Sequence, residues 1–155
     1  MARYYKVVSE NRKARHDYTI LEVFKAGVEL KGTEVKSVRQ GHVNLRDSFA
    51  VPDRGELWIH NMHISPYEKG NIYNVNPKRR RKLLLKRVEI KKLTAKVNER
   101  GFVLIPLRVY FSGDFAKVDI AIAKSKRKYS KKEAIKEKDT NREIERALKM
   151  RVQKR

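Results

Sequence analysis

The segment "FVLIPLRVYFSGDFAKVDIAIA", residues 102–123, carries the strongest fold signal in the chain. Apolar residues alternate through it, which is typical of a strand with one buried face. We expect the core-facing residues of the first strand to be Val103, Ile105, Leu107, Val109 and Phe111. The turn sequence "SGD" precedes a second alternating run from Ala116 to Ile122, so the segment predicts an antiparallel hairpin. Because proline has no amide donor, pairing should be exposed or bulged at Pro106.

Shorter strand patterns lie before this hairpin. The stretch "YTILEVFKAGVELKG", residues 18–32, is rich in β-forming residues and ends in an apolar–charged alternation. Residues 48–64, "SFAVPDRGELWIHNMHI", contain two short runs around the turn sequence "PDRG". Together these patterns predict a mainly antiparallel sheet.

Helical patterns are expected between the strands. Thr33 can cap a short helix that Gly41 ends. Asn76-Pro77 is typical of a second helix start, which predicts helix through "PKRRRKLLLKR", residues 77–87, and on to Gly101. One helix, or two with a break near Lys86, fit equally well.

The three leucines of that stretch are adjacent. On a helix they would spread over about 200 degrees, so they cannot all face one small core. At least one, such as Leu84, would then be free to pack on an unstacked nucleotide; burial of all three is the equal alternative.

Short strands with helices inserted between them predict a mainly β fold with helices. The size and charge favour an OB-fold-like antiparallel β-barrel with about three flanking helices. We expect this domain to span residues 1–123 and a basic C-terminal tail to span residues 124–155.

Charge and composition limit the function. The 155 residues hold 39 Lys and Arg against 18 Asp and Glu, for a net charge of +21. Nucleic acid is the commonest partner that offsets such a charge. The chain has no cysteine, which excludes disulfides and thiolate metal sites. We find no signal-peptide h-region and no apolar run long enough to span a membrane, and expect a soluble, cytoplasmic protein.

The tail is more basic than the rest. Residues 124–155 contain 14 basic and 5 acidic side chains and few large aliphatic ones. Such a segment buries too little surface to offset its ordering entropy, so we expect it to be disordered in the free protein. Ile144, Leu148 and Val152 recur every four residues, a pattern that predicts a helix once the segment meets RNA.

Catalytic and metal-binding patterns are weak. His60 and His63 would point to opposite faces of a strand, so an ordinary polar role is favoured over metal binding. Asp47-Ser48 lacks a recognisable general base, and no glycine-rich phosphate loop is present. We expect no catalytic residue, no metal and no cofactor.

Basic residues interleaved with aromatic ones are frequent instead. "ENRKARHDY", residues 10–18, combines arginines suited to phosphate with a histidine and a tyrosine suited to an unstacked base. Lys36 and Arg39 lie three residues apart on the predicted short helix. Further basic residues crowd the start of the next predicted helix.

Several motifs, in order along the chain, resemble the SmpB family of tmRNA-binding proteins. They are "NRKARHDY" (11–18), "GTEVKS" (32–37), "NLRDS" (44–48), "HISPY" (63–67), "NPKRRRKLLL" (76–85), and a basic tail that opens at Ala123-Lys124. The likeness runs from Asn11 to about Lys138, nearly the whole chain.

The resemblance implies a non-enzymatic role in ribosome rescue. Such proteins bind the tRNA-like domain of tmRNA, which elongation factor Tu carries in alanylated form into the vacant A site of a stalled ribosome. The family's tail lies as a helix in the empty mRNA channel and reaches the 16S rRNA decoding centre. Translation then resumes on the tmRNA and tags the stalled product for degradation. We expect one protein copy per RNA and no membrane partner.

Candidate residues follow from the motifs and the basic patches. The expected RNA-binding residues are Asn11, Arg12, Lys13, Arg15, His16, Tyr18, Glu34, Lys36, Arg39, Lys78, Arg79, Arg81, Lys82 and Leu84. The expected ribosome-contacting tail residues are Lys124, Lys126, Arg127, Lys128, Tyr129, Lys131, Lys132 and Lys136.

Three departures from the family pattern affect these expectations. Lys25 stands where the family commonly has an acidic residue that helps with RNA contact, and Lys86 stands where His or Asn is common. In the tail, the family's "GKKxxDKR" reads "SKRKYSKK", residues 125–132, without the glycine, the aspartate or the final arginine. An aspartate contact at the decoding centre cannot be carried over.

Two other functions share some of these features. A structural ribosomal protein would also be basic, with a barrel and a tail, and would stay on ribosomes through high-salt washing. An RNA-processing enzyme would use Glu34, Asp47 or Asp119 as metal-binding or general-acid groups, and would show turnover with divalent metal.

Overall fold

Nine strands and four α-helices are present in the described part of the chain. The structure is a computed structural model that describes residues 5–126 and 131–153. The strands are β1 Tyr5–Glu10, β2 Tyr18–Val28, β3 Val43–Asn44, β4 Phe49–Asp53, β5 Glu56–His60, β6 His63–Ile64, β7 Arg81–Leu84, β8 Phe102–Ser112 and β9 Phe115–Ser125. The helices are α1 Arg12–Asp17, α2 Gly32–Arg39, α3 Arg87–Asn98 and α4 Lys131–Gln153, with a short 3-10 turn at Asn71–Tyr73.

Seven strands form one antiparallel sheet that closes into a ring. Their order is β1-β8-β4-β5-β7-β2-β9, and β8 also pairs with β9, so the six strands from β8 to β9 close the ring and β1 lies beside β8. Strand β8 can take three neighbours because β1 pairs with its second half, whereas β4 meets it at Leu104 in the first half. The expectation of a mainly β fold with helices is confirmed.

The predicted hairpin is present, with an irregularity at the predicted place. The register of β8 against β9 shifts between Pro106 and Arg108. A bulge of this kind moves the alternation by one residue and so exchanges the faces of the strand. Leu104 therefore faces the core before the shift, and Val109 and Phe111 face it afterwards.

The expected face assignment was wrong for the first half of β8. Ile105 and Leu107 lie on the outer face of the ring, where they pack with Ala14 of α1 and two alanines of β9. Apolar residues on the outer face of a sheet need another element to cover them, and here the short helix α1 supplies that cover.

The main core fills the ring and includes helix residues. Leu57, Leu83 and Ile120 are fully buried in it, and α2 and α3 add Val38 and Leu93. Strands of the ring and the helices α2 and α3 thus share one hydrophobic cluster, which holds these two helices against the sheet.

Residues 77–86 are not helical, which corrects the expectation for the basic stretch. Asn76 makes a turn by accepting the Lys78 N–H at 2.9 Å through its side chain. Residues 81–84 then pair as β7 with β5 and β2, and helix begins only at Arg87. The helical pattern of residues 87–98 is confirmed, with Ile90 and Leu93 on the buried side.

Helix α4 covers part of the outer sheet face. Ile144 is 8 % exposed and packs with Phe49 and Val51 of β4, with Leu148 at the edge of the same cluster. Asn61 donates a hydrogen bond from Nδ2 to Glu143 at 2.9 Å. The helical periodicity is confirmed, while the expected disorder of the segment in the free protein stays a prediction.

Candidate nucleic-acid interface

Helix α1 presents the first predicted RNA-binding group. Asn11 begins the helix by accepting the Ala14 N–H through its side chain, and it donates from Nδ2 to the Pro106 carbonyl at 3.1 Å. Burial of Ala14 on the sheet leaves the other side of the helix in solvent. The exposed side chains there are Arg12, Lys13, Arg15 and His16, while Tyr18 is half-buried.

The start of the tail lies beside α1. Lys124 and Ser125 still belong to β9 and pair with Thr19 and Tyr18. Lys126 donates its backbone N–H to Asp17 O at 3.1 Å and its Nζ to Arg15 O at 3.2 Å. Strand β9 therefore continues through the first two residues of the predicted tail, and Lys124 and Lys126 adjoin α1. The domain boundary at residue 123 stays a prediction.

The other predicted tail residues are placed as follows. Arg127, Lys128 and Tyr129 lie outside the described residues. Lys131, Lys132 and Lys136 lie in the first turns of α4.

A buried ionic network joins α2 to β7. Arg81 is 0 % exposed and Glu34 is 3 % exposed. Arg81 Nε donates to Glu34 Oε2 at 2.7 Å, and the guanidinium also donates to the carbonyls of Met62 and Pro77. Arg79 donates to the other oxygen of Glu34. Charges removed from water are tolerated only when paired and hydrogen-bonded in this way.

The same network sets the protonation of its members. Burial raises the pKa of Glu34, but hydrogen bonds from Arg79, the Lys31 backbone and Arg81 together outweigh it, so that this pKa lies below its usual value. Burial lowers the pKa of Arg81, against the opposing effect of Glu34. In this conformation Arg81 and Glu34 hold the site together, and neither offers a free group to RNA.

Around this network the second predicted group stays accessible. Lys36, Arg39 and Lys78 are exposed, and Arg79 is half-buried. Glu34 accepts the Lys31 N–H at 2.9 Å and so caps α2, in place of the expected cap by Thr33. The α2 side of the molecule thus presents exposed cations, and the buried carboxylate of Glu34 on the same helix is already paired with Arg79 and Arg81.

Lys82 and Leu84 face outward from β7. Lys82 lies 3.7 Å from Glu56 in a partly exposed ion pair. Leu84 is 50 % exposed, whereas Leu83 is fully buried. One of the three leucines is therefore exposed, as expected. Leu83 and Leu84 point to opposite sides because they alternate along a strand, and not because they lie around a helix.

The two cationic groups are far apart. Helix α1 adjoins the Ser125 end of β9, and Arg39 of α2 reaches Asp114 in the turn before the other end, at 3.9 Å. Strand β9 has 11 residues, and a strand rises about 3.3 Å per residue, so roughly 30 Å separates the groups along it. The two groups therefore form two separate cationic areas and not one continuous patch.

Three of the groups considered for catalysis or metal binding, Asp119, Glu34 and His60, are held in structural contacts. Arg108 Nε donates to Asp119 Oδ2 at 2.6 Å, and Glu34 is held by two arginines. The His60 ring stacks on Phe49 at 5.3 Å, and burial together with the nearby Arg80 lowers the pKa of His60 to about 4. Within residues 5–126 and 131–153, no cluster of His, Asp or Glu could hold a metal ion.

Comparison with known proteins decides the family. The model of the SmpB protein family matches residues 8–150. The SsrA-binding protein of Carboxydothermus hydrogenoformans is 56% identical over 146 residues, covering 94% of this chain and 98% of that protein.

The chain belongs to the SmpB family. The SsrA-binding protein of Bacillus pumilus is 57% identical over 143 residues, covering 92% of each chain. A solved structure described as "tmRNA-SmpB: a journey to the center of the bacterial ribosome" superposes with a TM-score of 0.67 at 51% identity, covering 79% of this chain and 87% of that one. The resemblance read from the sequence is confirmed.

One group of residues in this SmpB family member, exposed except for the half-buried Tyr67, was not predicted from the sequence. Tyr67, Lys69 and Tyr73 face α2 across a cleft. The loop that carries them interleaves lysine with tyrosine, the same signal that marked residues 10–18. Their spacing alone did not show that they meet Lys31 and Lys36.

The part of the chain that the structure describes holds no helix with the length and hydrophobicity of a membrane span.

Proposed function

We propose that this chain is a tmRNA-binding protein of trans-translation. The observation that carries the proposal is the likeness to SsrA-binding proteins, at 56% identity across 94% of the chain. The net charge of +21 is that of a protein with an acidic polymer as partner. The protein carries no catalytic group of its own, and acts in the cytoplasm by binding and placing an RNA.

The sheet domain is the RNA-gripping part in this proposal. The closed ring of strands with α2 and α3 packed into its core is an OB-fold-like barrel, a scaffold used for nucleic acid. The exposed cations Lys36, Arg39 and Lys78 contact phosphates of the tRNA-like domain of tmRNA. Arg81 and Glu34 act behind them by fixing α2 against β7.

The tail is the ribosome-sensing part. Alanylated tmRNA enters the vacant A site with elongation factor Tu, one protein copy per RNA. The segment from residue 127 onward then follows the empty mRNA channel as a helix and reaches the decoding centre of the 16S rRNA.

Sequencing the RNA that copurifies with the tagged protein tests this function directly. We expect tmRNA to be the most enriched species. Recovery of ribosomal RNA alone, on particles that keep the protein through a high-salt wash, would instead identify a structural ribosomal protein.

The salt dependence of binding tests the phosphate contacts. Each lost contact to duplex phosphate should reduce the slope of log K against log salt by about 0.9. We expect this for Lys36→Ala and for Lys78→Ala. Lys91 is equally exposed but lies on α3, so Lys91→Ala is the charge-matched control and should keep the wild-type slope.

A further inference from the structure

A cleft separates α2 from the loop that leads to its 3-10 turn. Its volume is about 430 Å³, within the range of roughly 300–1,000 Å³ usual for small-molecule sites. One wall comprises Lys31, Gly32, Thr33 and Lys36, and the other comprises Tyr67, Lys69, Gly70, Tyr73 and Val75. This lining combines three ammonium groups with two phenol rings and contains no carboxylate.

The loop wall is built to a defined shape. The Asn74 side chain accepts the Tyr67 N–H at 3.0 Å and donates to the Tyr67 carbonyl at 2.8 Å. Tyr73 donates its N–H to the Gly70 carbonyl at 2.9 Å. A Cβ on Gly70 would lie 2.6 Å from Asn74 Oδ1, so a side chain there would displace the Asn74 amide that holds Tyr67. Thr33 Oγ1 donates to the Tyr73 carbonyl at 3.3 Å and ties the loop to α2.

This ordered loop leaves large apolar groups in solvent. Tyr73 is 74% exposed and Ile72 is 88% exposed. An ordered loop that exposes such groups is typical of a binding surface, because they contribute nothing to the core.

The charges of the cleft are available to a ligand. Among the described residues no ion pair engages Lys31, Lys36 or Lys69. Lys36 Nζ lies 5.4 Å from the centre of the Tyr67 ring, which positions it at the cleft without neutralising it. Glu34, on the same helix, is already paired with Arg79 and Arg81.

We propose that this cleft binds one unpaired nucleotide of the RNA partner, with its base stacked on the tyrosines and its phosphates on the lysines. Phenol rings supply flat faces that every base can stack on, and ammonium groups neutralise backbone phosphate. An acidic peptide could satisfy the lysines, but it would have no use for the exposed ring of Tyr73. The proposal rests on the tmRNA-binding function and specifies one of its contacts.

Tyr73→Ala tests the stacking. Stacking on an aromatic side chain is worth about 1–3 kcal/mol per base, so affinity for tmRNA should fall about tenfold. Tyr73→Phe keeps the ring and should bind as wild type. Val88 is 77% exposed on α3, so Val88→Ala is a control for loss of an exposed apolar side chain and should leave affinity unchanged.

Crosslinking gives a second readout that does not depend on loss of binding. A benzoylphenylalanine placed at residue 73 should crosslink to tmRNA, and reverse transcription should stop at an unpaired nucleotide. Lys69→Gln should weaken the crosslink and lower the salt slope of binding by about 0.7 for a single-stranded contact.

The outcomes separate this proposal from the one it rests on. Wild-type protein that does not bind tmRNA would overturn the proposed function. Wild-type binding together with full affinity of Tyr73→Ala, or a crosslink that maps to a duplex, would overturn only the cleft assignment. It would also be overturned if polyglutamate displaced the crosslink more effectively than a single-stranded oligonucleotide of equal charge.

Discussion

The sheet domain of residues 5–126 and helix α4 are held in place very differently. In the sheet domain, Leu57, Leu83 and Ile120 are fully buried and belong to one cluster that spans strands and two helices. In α4, Ile144 is buried against Phe49 and Val51, and Asn61 donates a hydrogen bond to Glu143. The sheet domain is held by a core that its elements share, whereas α4 packs on the sheet through a smaller cluster.

The free energies of these contacts indicate how easily α4 can detach from the sheet. Burial of one large aliphatic side chain stabilises by about 1.5–3 kcal/mol, and an exposed hydrogen bond adds about 1 kcal/mol. A helix docked in this way leaves the sheet at lower cost than a strand of the ring does. In the proposed function, RNA grip belongs to the firmly held region and ribosome contact to the more weakly held one.

Of the changes that test the difference between the two regions, removal of the tail should have the largest effect. Truncation after Lys126 keeps all of β9, including the pairs of Lys124 and Ser125 with β2. We expect unchanged tmRNA affinity and no tagging of stalled products, measured by equilibrium binding and by a tagging assay on ribosomes stalled without a codon. A truncated protein that still tags would show that the two regions do not divide the function.

Arg81→Met should destabilise the sheet domain by about 3–5 kcal/mol, because it removes one of the two arginines that pair with the buried carboxylate of Glu34 and also the donor to the Met62 and Pro77 carbonyls. Urea unfolding measures this change. The adjacent Lys82 has a partly exposed ion pair with Glu56, so Lys82→Met is the control and should change stability by less than about 1 kcal/mol.

Leu83 and Leu84 should differ although they are neighbours. Leu83→Ala removes a fully buried side chain and should cost about 2–5 kcal/mol of unfolding free energy. Leu84 is 50% exposed, so Leu84→Ala should stay within about 0.5 kcal/mol. If Leu84→Ala weakens tmRNA binding without loss of stability, the exposed leucine is an RNA contact. Equal stability losses would show that Leu84 belongs to the core.

Acid should affect the sheet domain through Glu34. Its pKa in the folded state is lowered from 4.5, so its contribution to stability is complete above pH 4.5 and is lost as pH falls below that value. The urea midpoint should therefore drop in this range for the wild type and drop less for Glu34→Gln. An identical acid response of the variant would assign the effect to other carboxylates.

Ile144→Ala should have the smallest effect on overall stability. It removes the main contact of α4, so amide exchange in that helix should accelerate by about tenfold while the unfolding of the sheet domain stays the same. Met150 is 56% exposed on the same helix, and Met150→Ala should leave exchange unchanged. If Ile144→Ala lowered the unfolding midpoint of the whole protein, α4 would be part of the core.

Local patterns predicted much of this fold. The hairpin of β8 and β9, the strands around the "PDRG" turn and the helical stripe at residues 87–98 each bury one side against the rest of the protein, so their periodicity is visible in the sequence. The bulge at Pro106 was also predicted, since a missing donor is a local property. Its effect on Ile105 and Leu107 was not, because α1 provides their cover.

The basic stretch was misassigned for a physical reason. Arg81 and Leu83 are both buried on β7. Because an arginine is normally expected in solvent, the alternation of buried and exposed residues cannot be recognised in the sequence. Its burial is possible only because Glu34, 47 residues away, accepts from it. Nothing near Arg81 in the sequence shows that partner.

Residue type and spacing fix the charge, the strand and helix periodicities, the family motifs and hence the kind of partner. Which cations reach solvent, the burial of Arg81 against Glu34, the separation of the two cationic groups, and the position of Tyr67 and Tyr73 opposite the lysines of α2 come from the folded structure. Each of these depends on contacts between segments distant in the chain, whose geometry is set only when the ring of strands closes.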